Sequence, residues 1–326
     1  LTLTQSYEIS STLDYYDYNF TNGSIDGGIC IKKNAIQFAT AITPVIFIII
    51  VLFSCVGNTL VVWVLVKYEN LKSLTNTFLL NLALSDLIFT FGLPFWAYYY
   101  IYGWTLGDPA CKAVNFVFYT GYYSSIIFLT VLTIHRYMAV VHPMSVVMSR
   151  KSLHCYVTSL VIWIISLCAA IPQARFNSVV TYLQNSFFII AFVIIAFCYT
   201  VILGRLLRPT SHTRRKTVQL ILFIVVFFFL GWGPYNVAIF LDSLISWKVS
   251  PFNDCKLSES IDYLMYVSRM VAFSHCCLNP VFYVFMGIKF RNHLKKMLWT
   301  YCKNNTETQN RHSRLIYSNG EEISMY

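Results

Sequence analysis

Charge is scarce in this chain. Only 12% of its 326 residues are Asp, Glu, Lys or Arg, where a typical soluble domain carries about a quarter. Hydrophobic residues make up 57%, and the mean hydropathy is +0.58. A water-soluble domain cannot bury that much apolar surface, so soluble folds are excluded. Also missing are a nucleophile, base and oxyanion constellation and any zinc-ligand spacing, so neither catalysis nor a metal centre is expected. No internal repeat is apparent, which argues against transporters built from inverted halves. No cleavable signal peptide is visible, and the first apolar span is expected to serve as the insertion signal.

What fills the chain is seven apolar stretches, at 35–66, 77–100, 110–141, 153–171, 179–203, 217–244 and 261–285. Each is near or above the roughly 20 residues needed to cross hydrocarbon as a helix. The expected fold is an all-α membrane protein with a seven-transmembrane-helix bundle over 35–285. A short amphipathic juxtamembrane helix follows at 286–300, carrying Lys289, Phe290, Arg291, Leu294, Lys295, Met297 and Leu298. That pattern fits a helix lying on membrane lipid. Residues 1–34 form an outer tail, and 301–326 a cytoplasmic tail expected by composition to be disordered. Of the 24 Lys and Arg, 17 lie on the side reached after spans 1, 3, 5 and 7, Arg136 included. Nine of the 14 acids lie on the opposite side. The positive-inside rule therefore puts the N-terminus outside. The net charge of +10 is then a lipid-facing excess, and no nucleic acid is expected as a partner.

Polar residues stand at depths where lipid makes them costly. Asn58, Asp86, Ser125 and Asn279 fall inside spans 1, 2, 3 and 7, and a carboxylate there must face the interior with partners. Asn58, Ser125 and Asn279 are the candidates for Asp86. The cluster is read as a sodium site, a protonated carboxyl or a polar knot that fixes packing. Span 3 ends in His135, Arg136 and Tyr137; an arginine at the inner edge ordinarily snorkels to lipid phosphates. Tyr199 closes span 5, Pro234 follows Trp232 in span 6, and span 7 ends Asn279-Pro280-Val281-Phe282-Tyr283. A proline removes a helix hydrogen bond, so the last two spans carry built-in weak points, as a moving device does.

Together these landmarks resemble the rhodopsin-like G-protein-coupled receptors across the whole bundle. The resemblance implies that Arg136 docks a G protein when span 6 swings about Pro234. It makes Trp232 the toggle beneath the ligand, with Tyr199 and Tyr283 stabilising the open state. Leu93-Pro94-Phe95-Trp96, Trp104-Thr105-Leu106-Gly107-Asp108 and Ala272-Phe273-Ser274-His275-Cys276-Cys277-Leu278-Asn279-Pro280 are similar to the chemokine receptors. Within that family, His135 before the arginine and the Trp63–Glu69 run look like the XC type. The implied partners are a chemokine, a heterotrimeric G protein of the inhibitory class and arrestin, for a plasma-membrane receptor that promotes chemotaxis. The alternative is an atypical receptor that scavenges chemokine without G-protein signalling.

The outer tail suits a basic protein ligand. Tyr15, Tyr16 and Tyr18 alternate with Asp14 and Asp17, and acidic neighbours favour sulfation, which adds fixed negative charge and steers a cationic partner. Asn19 and Asn22 head glycosylation triplets. Trp96, Tyr119, Tyr122, Tyr235 and Tyr266 are expected to line a pocket for the ligand's N-terminus, with Asp242 and Asp262 at its rim. Cys302 is a palmitoylation candidate.

Three departures from the family pattern stand out. Arg269 occupies a position where many chemokine receptors carry glutamate, so a carboxylate partner is expected, from Asp242 or from the ligand. His135 replaces the acid that usually restrains the adjacent arginine, and the start of span 6 has the basic Arg214, so either basal activity or restraint by packing follows. Among outer cysteines, the resemblance pairs Cys30 with Cys255, whereas the partner of Cys111 is missing from this chain. Losing such a bridge often costs a few kcal/mol, so omission of the second outer loop from the sequence is the preferred reading over its loss.

Overall fold

A computed structural model describes residues 32–71, 73–141, 152–172, 178–206, 212–247, 249–250, 254–286, 291–292, 295–296 and 299. Its helices are α1 (Lys33–Tyr68), α2 (Leu74–Tyr102), α3 (Asp108–Val141), α4 (Ser152–Ala170), α5 (Ser178–Leu206), α6 (His212–Ser246), α7 (Cys255–Phe273) and α8 (His275–Met286). No strand occurs among the described residues. Each apolar stretch read from the sequence becomes a helix, with one difference. The last span is two helices, broken at Ser274, whose backbone stays helical at φ −68 and ψ −12. Among the described residues, five helices are long and apolar enough to cross a membrane. At 1.5 Å per residue, the 36 residues of α1 reach about 54 Å, well beyond the roughly 30 Å of hydrocarbon, so its ends project past the apolar layer.

The side-chain distribution is that of a protein in lipid. Along α1, Leu52, Phe53 and Val56 are among the most exposed residues, at 62%, 67% and 71%, while Ser54 and Asn58 are fully buried. Polar groups turn inward because lipid offers them no hydrogen bonds.

The helices close into a ring, α1 against α2 and α7, α6 against α5 and α7, with α3 touching α2, α4, α5 and α6. Two glycines permit the closest approaches. A Cβ on Gly121 of α3 would stand 2.5 Å from the Phe89 backbone nitrogen and 2.8 Å from its Cα on α2. A Cβ on Gly57 of α1 would stand 2.8 Å from the Pro280 ring on α8.

Pro280 has no N–H, so the Cys276 carbonyl one turn earlier loses its helical donor. Asn58 Nδ2 donates to that carbonyl at 2.7 Å, with Ser54 Oγ at 3.4 Å. Gly57 makes room for the proline, and its neighbour Asn58 satisfies the carbonyl that the proline frees. The juxtamembrane stretch is described only at five positions, where Arg291, Asn292, Lys295, Lys296 and Trp299 are helical and exposed.

Gly121→Ala should separate α2 from α3, because the obstacle is backbone and cannot rotate away. A loss of about 1–3 kcal/mol is expected for such overpacking, read as a lower melting temperature of the purified protein. Wild-type melting would refute the close approach.

Candidate functional site

Three groups of side chains span the bundle from its outer to its inner end. The outermost is an aromatic chamber around a cation. Arg269 of α7 is only 3% exposed and donates through a terminal nitrogen to the Tyr100 hydroxyl of α2 at 2.5 Å. Its guanidinium lies 5.7 Å from the Trp96 ring centre and 5.6 Å from that of Tyr235. Tyr266 and Tyr100 meet edge to face, and Tyr119 meets Tyr122 likewise. All five aromatics expected to line the pocket therefore belong to this aromatic assembly; Tyr100 is an addition. No acidic motif or spacing marks Tyr100 in the sequence, since its role depends on the rotation of α2.

The rim differs from expectation. Asp262 pairs with Lys32 at 2.8 Å, and among the described residues no carboxylate pairs with Arg269. The internal partner expected from Asp242 is not found. Asp242 itself is half-buried near the outer end of α6. A shallow cleft lined by Trp96, Tyr99, Trp104, Val114 and Asn115 opens beside the chamber.

Cys255 is disulfide-bonded, as expected, while its expected partner Cys30 lies outside the described residues. Cys111 is a free, buried thiol, and residues 171–177 between α4 and α5 contain no cysteine. Tyr15, Tyr16, Tyr18, Asn19, Asn22 and Cys302 also lie outside the described residues.

Beneath the chamber sits Trp232, 1% exposed. Its ring centre is 4.3 Å from that of Tyr122, 5.7 Å from Tyr235, 5.8 Å from Phe273 and 5.4 Å from His275. Trp232 thus touches chamber residues above and the polar knot below. Two residues on, Pro234 lies within α6, where it deprives the Leu230 carbonyl of its helical donor.

The knot centres on Asp86, which is fully buried. Asn279 Nδ2 donates to one carboxylate oxygen at 2.6 Å, and Ser125 Oγ to the other at 3.3 Å. Two of the three expected partners are therefore in place. The third, Asn58, is diverted to the Cys276 carbonyl, as described above. It reaches Asp86 only through a relay: Asn58 donates to Ser54 Oγ at 3.0 Å, Ser54 meets Thr90 Oγ1 at 2.6 Å, and Thr90 donates to the Asp86 backbone carbonyl at 2.6 Å.

His275 is an unanticipated member of this knot. Its Nδ1 lies 2.8 Å from the Ala272 carbonyl, which can only accept, so Nδ1 carries a proton. Its Nε2 faces Asp86 Oδ1 at 3.7 Å without a hydrogen-bond partner. For a sodium ion the available oxygens are those of Asp86, both already accepting bonds, and of Ser125. The Ser54 and Thr90 hydroxyls and Asn58, whose Oδ1 has no partner among the described residues, complete the knot. Among the described residues these groups form a hydrogen-bonded knot.

At the inner end, Arg136 of α3 is half-buried and donates to Thr75 Oγ1 of α2 at 2.8 Å. Its Nε and the His135 Nδ1 have no partner among the described residues. The side-chain partner of Arg136 among the described residues is thus a neutral hydroxyl. Thr75 has no distinguishing sequence signal. Tyr137 packs against Phe197 with ring centres 6.1 Å apart. Tyr199 is buried. The side chains of Tyr283 and Arg214 lie outside the description.

The model for "7 transmembrane receptor (rhodopsin family)" matches residues 57–187 and 174–283. Human Chemokine XC receptor 1 is 43% identical over 305 residues, covering 89% of this chain and 88% of that protein. The mouse protein of the same name is 42% identical over 325 residues, with 92% and 95% covered. C-C chemokine receptor type 8 of Macaca mulatta is 33% identical over 319 residues, with 90% and 88% covered.

Asn279→Ala removes the shortest bond to a buried carboxylate and should cost about 1–3 kcal/mol, lowering the melting temperature. Repeated in an Asp86→Asn background, the loss should shrink, because the carboxyl partner is gone. Equal losses in both backgrounds would mean that the two residues are not coupled.

Proposed function

This chain belongs to the chemokine receptors within the rhodopsin family of seven-transmembrane receptors, and from that premise we propose that it transmits the binding of an XC-type chemokine to an inhibitory-class G protein. It is not an enzyme. The proposed setting is the plasma membrane, with the N-terminus outside, and the proposed outcome is chemotaxis, with arrestin and lipid as further partners. Tyr15, Tyr16 and Tyr18 would meet the chemokine's folded body, and its leading segment would enter the chamber.

The observation that carries this reading is the position of Trp232. It packs on Tyr122 and Tyr235 of the chamber and on His275 of the Asp86 knot. A ligand that moves the chamber rings must disturb Trp232, and Trp232 sits in the helix weakened by Pro234. The ligand acts by binding one arrangement of the bundle more tightly than the other. A panel of chemokines applied to cells expressing the receptor, with G-protein dissociation as readout, should show activation by the XC type. Uptake of chemokine without activation would select the scavenging alternative.

The Thr75 contact sets the resting state in the same scheme. A neutral hydrogen bond contributes about 0.5–1.5 kcal/mol, and one to a charged group about 1.5–3. Thr75→Val keeps the shape and removes the acceptor, so ligand-free signalling should rise several-fold, and Thr75→Ser should restore the wild-type level. Unaltered basal signalling in Thr75→Val would show that Arg136 is restrained by something else.

A further inference from the structure

The outward side of α1 ends in a cation. Leu52, Val56 and Trp63, spaced four and then seven residues apart, are all exposed, and that spacing puts them in one stripe along the helix. Lys67 continues the stripe one turn beyond Trp63 and is exposed as well. Its Nζ lies 4.8 Å from the Trp63 ring centre and 5.5 Å from that of Tyr68. The two rings meet edge to face, 5.7 Å apart. No carboxylate pairs with Lys67 among the described residues. Glu69, two residues on, accepts a bond from Asn76 at 3.1 Å. An ammonium has three N–H donors, and the rings offer them no lone pair.

Depth decides what that cation meets. Lysines at both ends, Lys33 and Lys67, centre α1 across the membrane, with its middle near Ile50. At 1.5 Å per residue, Trp63 then stands about 19 Å from the mid-plane. Hydrocarbon ends at about 15 Å and the headgroup layer at about 20–22 Å, so Trp63 lies among the headgroups, where tryptophan concentrates. The backbone of Lys67 is about 25 Å out, beyond that layer. Its side chain leans back toward the start of the helix, as helical side chains do, and so back toward the membrane. A snorkelling lysine ordinarily carries its charge out into water; here the Trp63 ring holds it in the headgroup layer.

We propose that Lys67 and Trp63 form a site for the phosphate of an anionic phospholipid, on the leaflet that meets the C-terminal end of α1. The unused donors require an acceptor, and the fixed charge favours an anion. At this depth the anionic acceptor is lipid phosphate. The acyl chains of the same lipid lie along Val56 and Leu52, so apolar and polar contacts are continuous on one stripe. Phosphatidylcholine carries a trimethylammonium beside its phosphate, which the lysine repels, so a net-negative headgroup gains most. In the proposed orientation this is the cytoplasmic leaflet, which is the anionic one. The site is separate from the basic juxtamembrane stretch.

The test uses purified receptor in phosphatidylcholine nanodiscs containing a minor fraction of a lipid brominated near its headgroup, either phosphatidylserine or phosphatidylcholine. Bromine quenches tryptophan at short range, and the Trp63 signal is the difference between the receptor and its Trp63→Leu variant. Brominated phosphatidylserine should quench that signal as if enriched about fivefold over brominated phosphatidylcholine, the weight of one lysine at an anionic surface. Lys67→Gln, again with and without Trp63, should bring the two lipids level, and Lys67→Arg should keep the enrichment. Arg291→Gln, at an exposed juxtamembrane position, should leave it unchanged. The substituted side chains are exposed, and melting temperatures check that each variant is folded. Equal quenching by the two lipids in the wild type, or enrichment that survives Lys67→Gln, overturns the site. An equal loss with Arg291→Gln would mean diffuse attraction to a basic surface, and the site would fall. Displacement of the lipid by inorganic phosphate at matched ionic strength would mark a soluble-anion site and overturn the lipid assignment.

Discussion

The constraint on which the rest depends is that a carbonyl exposed by a proline inside hydrocarbon has no water to turn to. Pro280 exposes the Cys276 carbonyl, and Asn58 supplies the donor from 218 residues away in sequence. An unmet buried carbonyl costs about 1–3 kcal/mol, so this single bond fixes both the rotation of α1 and its distance from α8. The absence of a Cβ on Gly57 is what allows the approach. Once α1 and α8 are locked, Asn279, one residue before the proline, is aimed at Asp86, and Ser54 meets Thr90 on α2. A helix defect has become a helix junction.

From that junction a line of contact runs in both directions. Outward it passes His275, Trp232 and Tyr235 to Arg269. Inward, α3 carries Ser125 of the knot and, three turns on, Arg136 at its contact with Thr75. The two ends differ in chemistry. Among the described residues, the outer cation has no counter-charge and is held by rings and one phenol. The inner cation is held by one hydroxyl in place of a carboxylate.

Much of this was legible in the residues alone, and the reason is physical. Apolar length reports a transmembrane helix directly, so the spans came out within a few residues. An intramembrane carboxylate must find partners, so Asp86 pointed to Ser125 and Asn279. What was hidden depends on how helices are rotated and paired in space. Asn58 was assigned to Asp86 because both are polar and deep, while the competing acceptor was a backbone atom that carries no sequence letter. Tyr100 and Thr75 belong to residue types common in any membrane helix, and only the fold brings them to Arg269 and Arg136. The break at Ser274 was also unreadable, because an αR residue between two helices leaves the apolar pattern unbroken.

The distribution of bond types between the last two spans indicates which of them yields. The span formed by α7 and α8 is tied by directional bonds along its length: Asp262 to Lys32, Arg269 to Tyr100, the Cys276 carbonyl to Asn58, and Asn279 to Asp86. A disulfide at Cys255 adds a covalent tie at its outer end. Among the described residues, the ties of α6 at the same depths include many ring contacts: Phe229 with Phe188, Phe228 with His275, and Trp232 with Tyr122 and Phe273. Ring contacts are worth about 0.5–1.5 kcal/mol each beyond their burial, and they tolerate both offset and edge geometries. Hydrogen bonds weaken steeply with angle, so a helix held by them moves only by breaking them. A helix held by rings can slide and re-pack, and α6 also contains Pro234. Among the described residues, the α7–α8 span is therefore the more directionally tied of the two, and the contacts of α6 are the ones that tolerate re-packing.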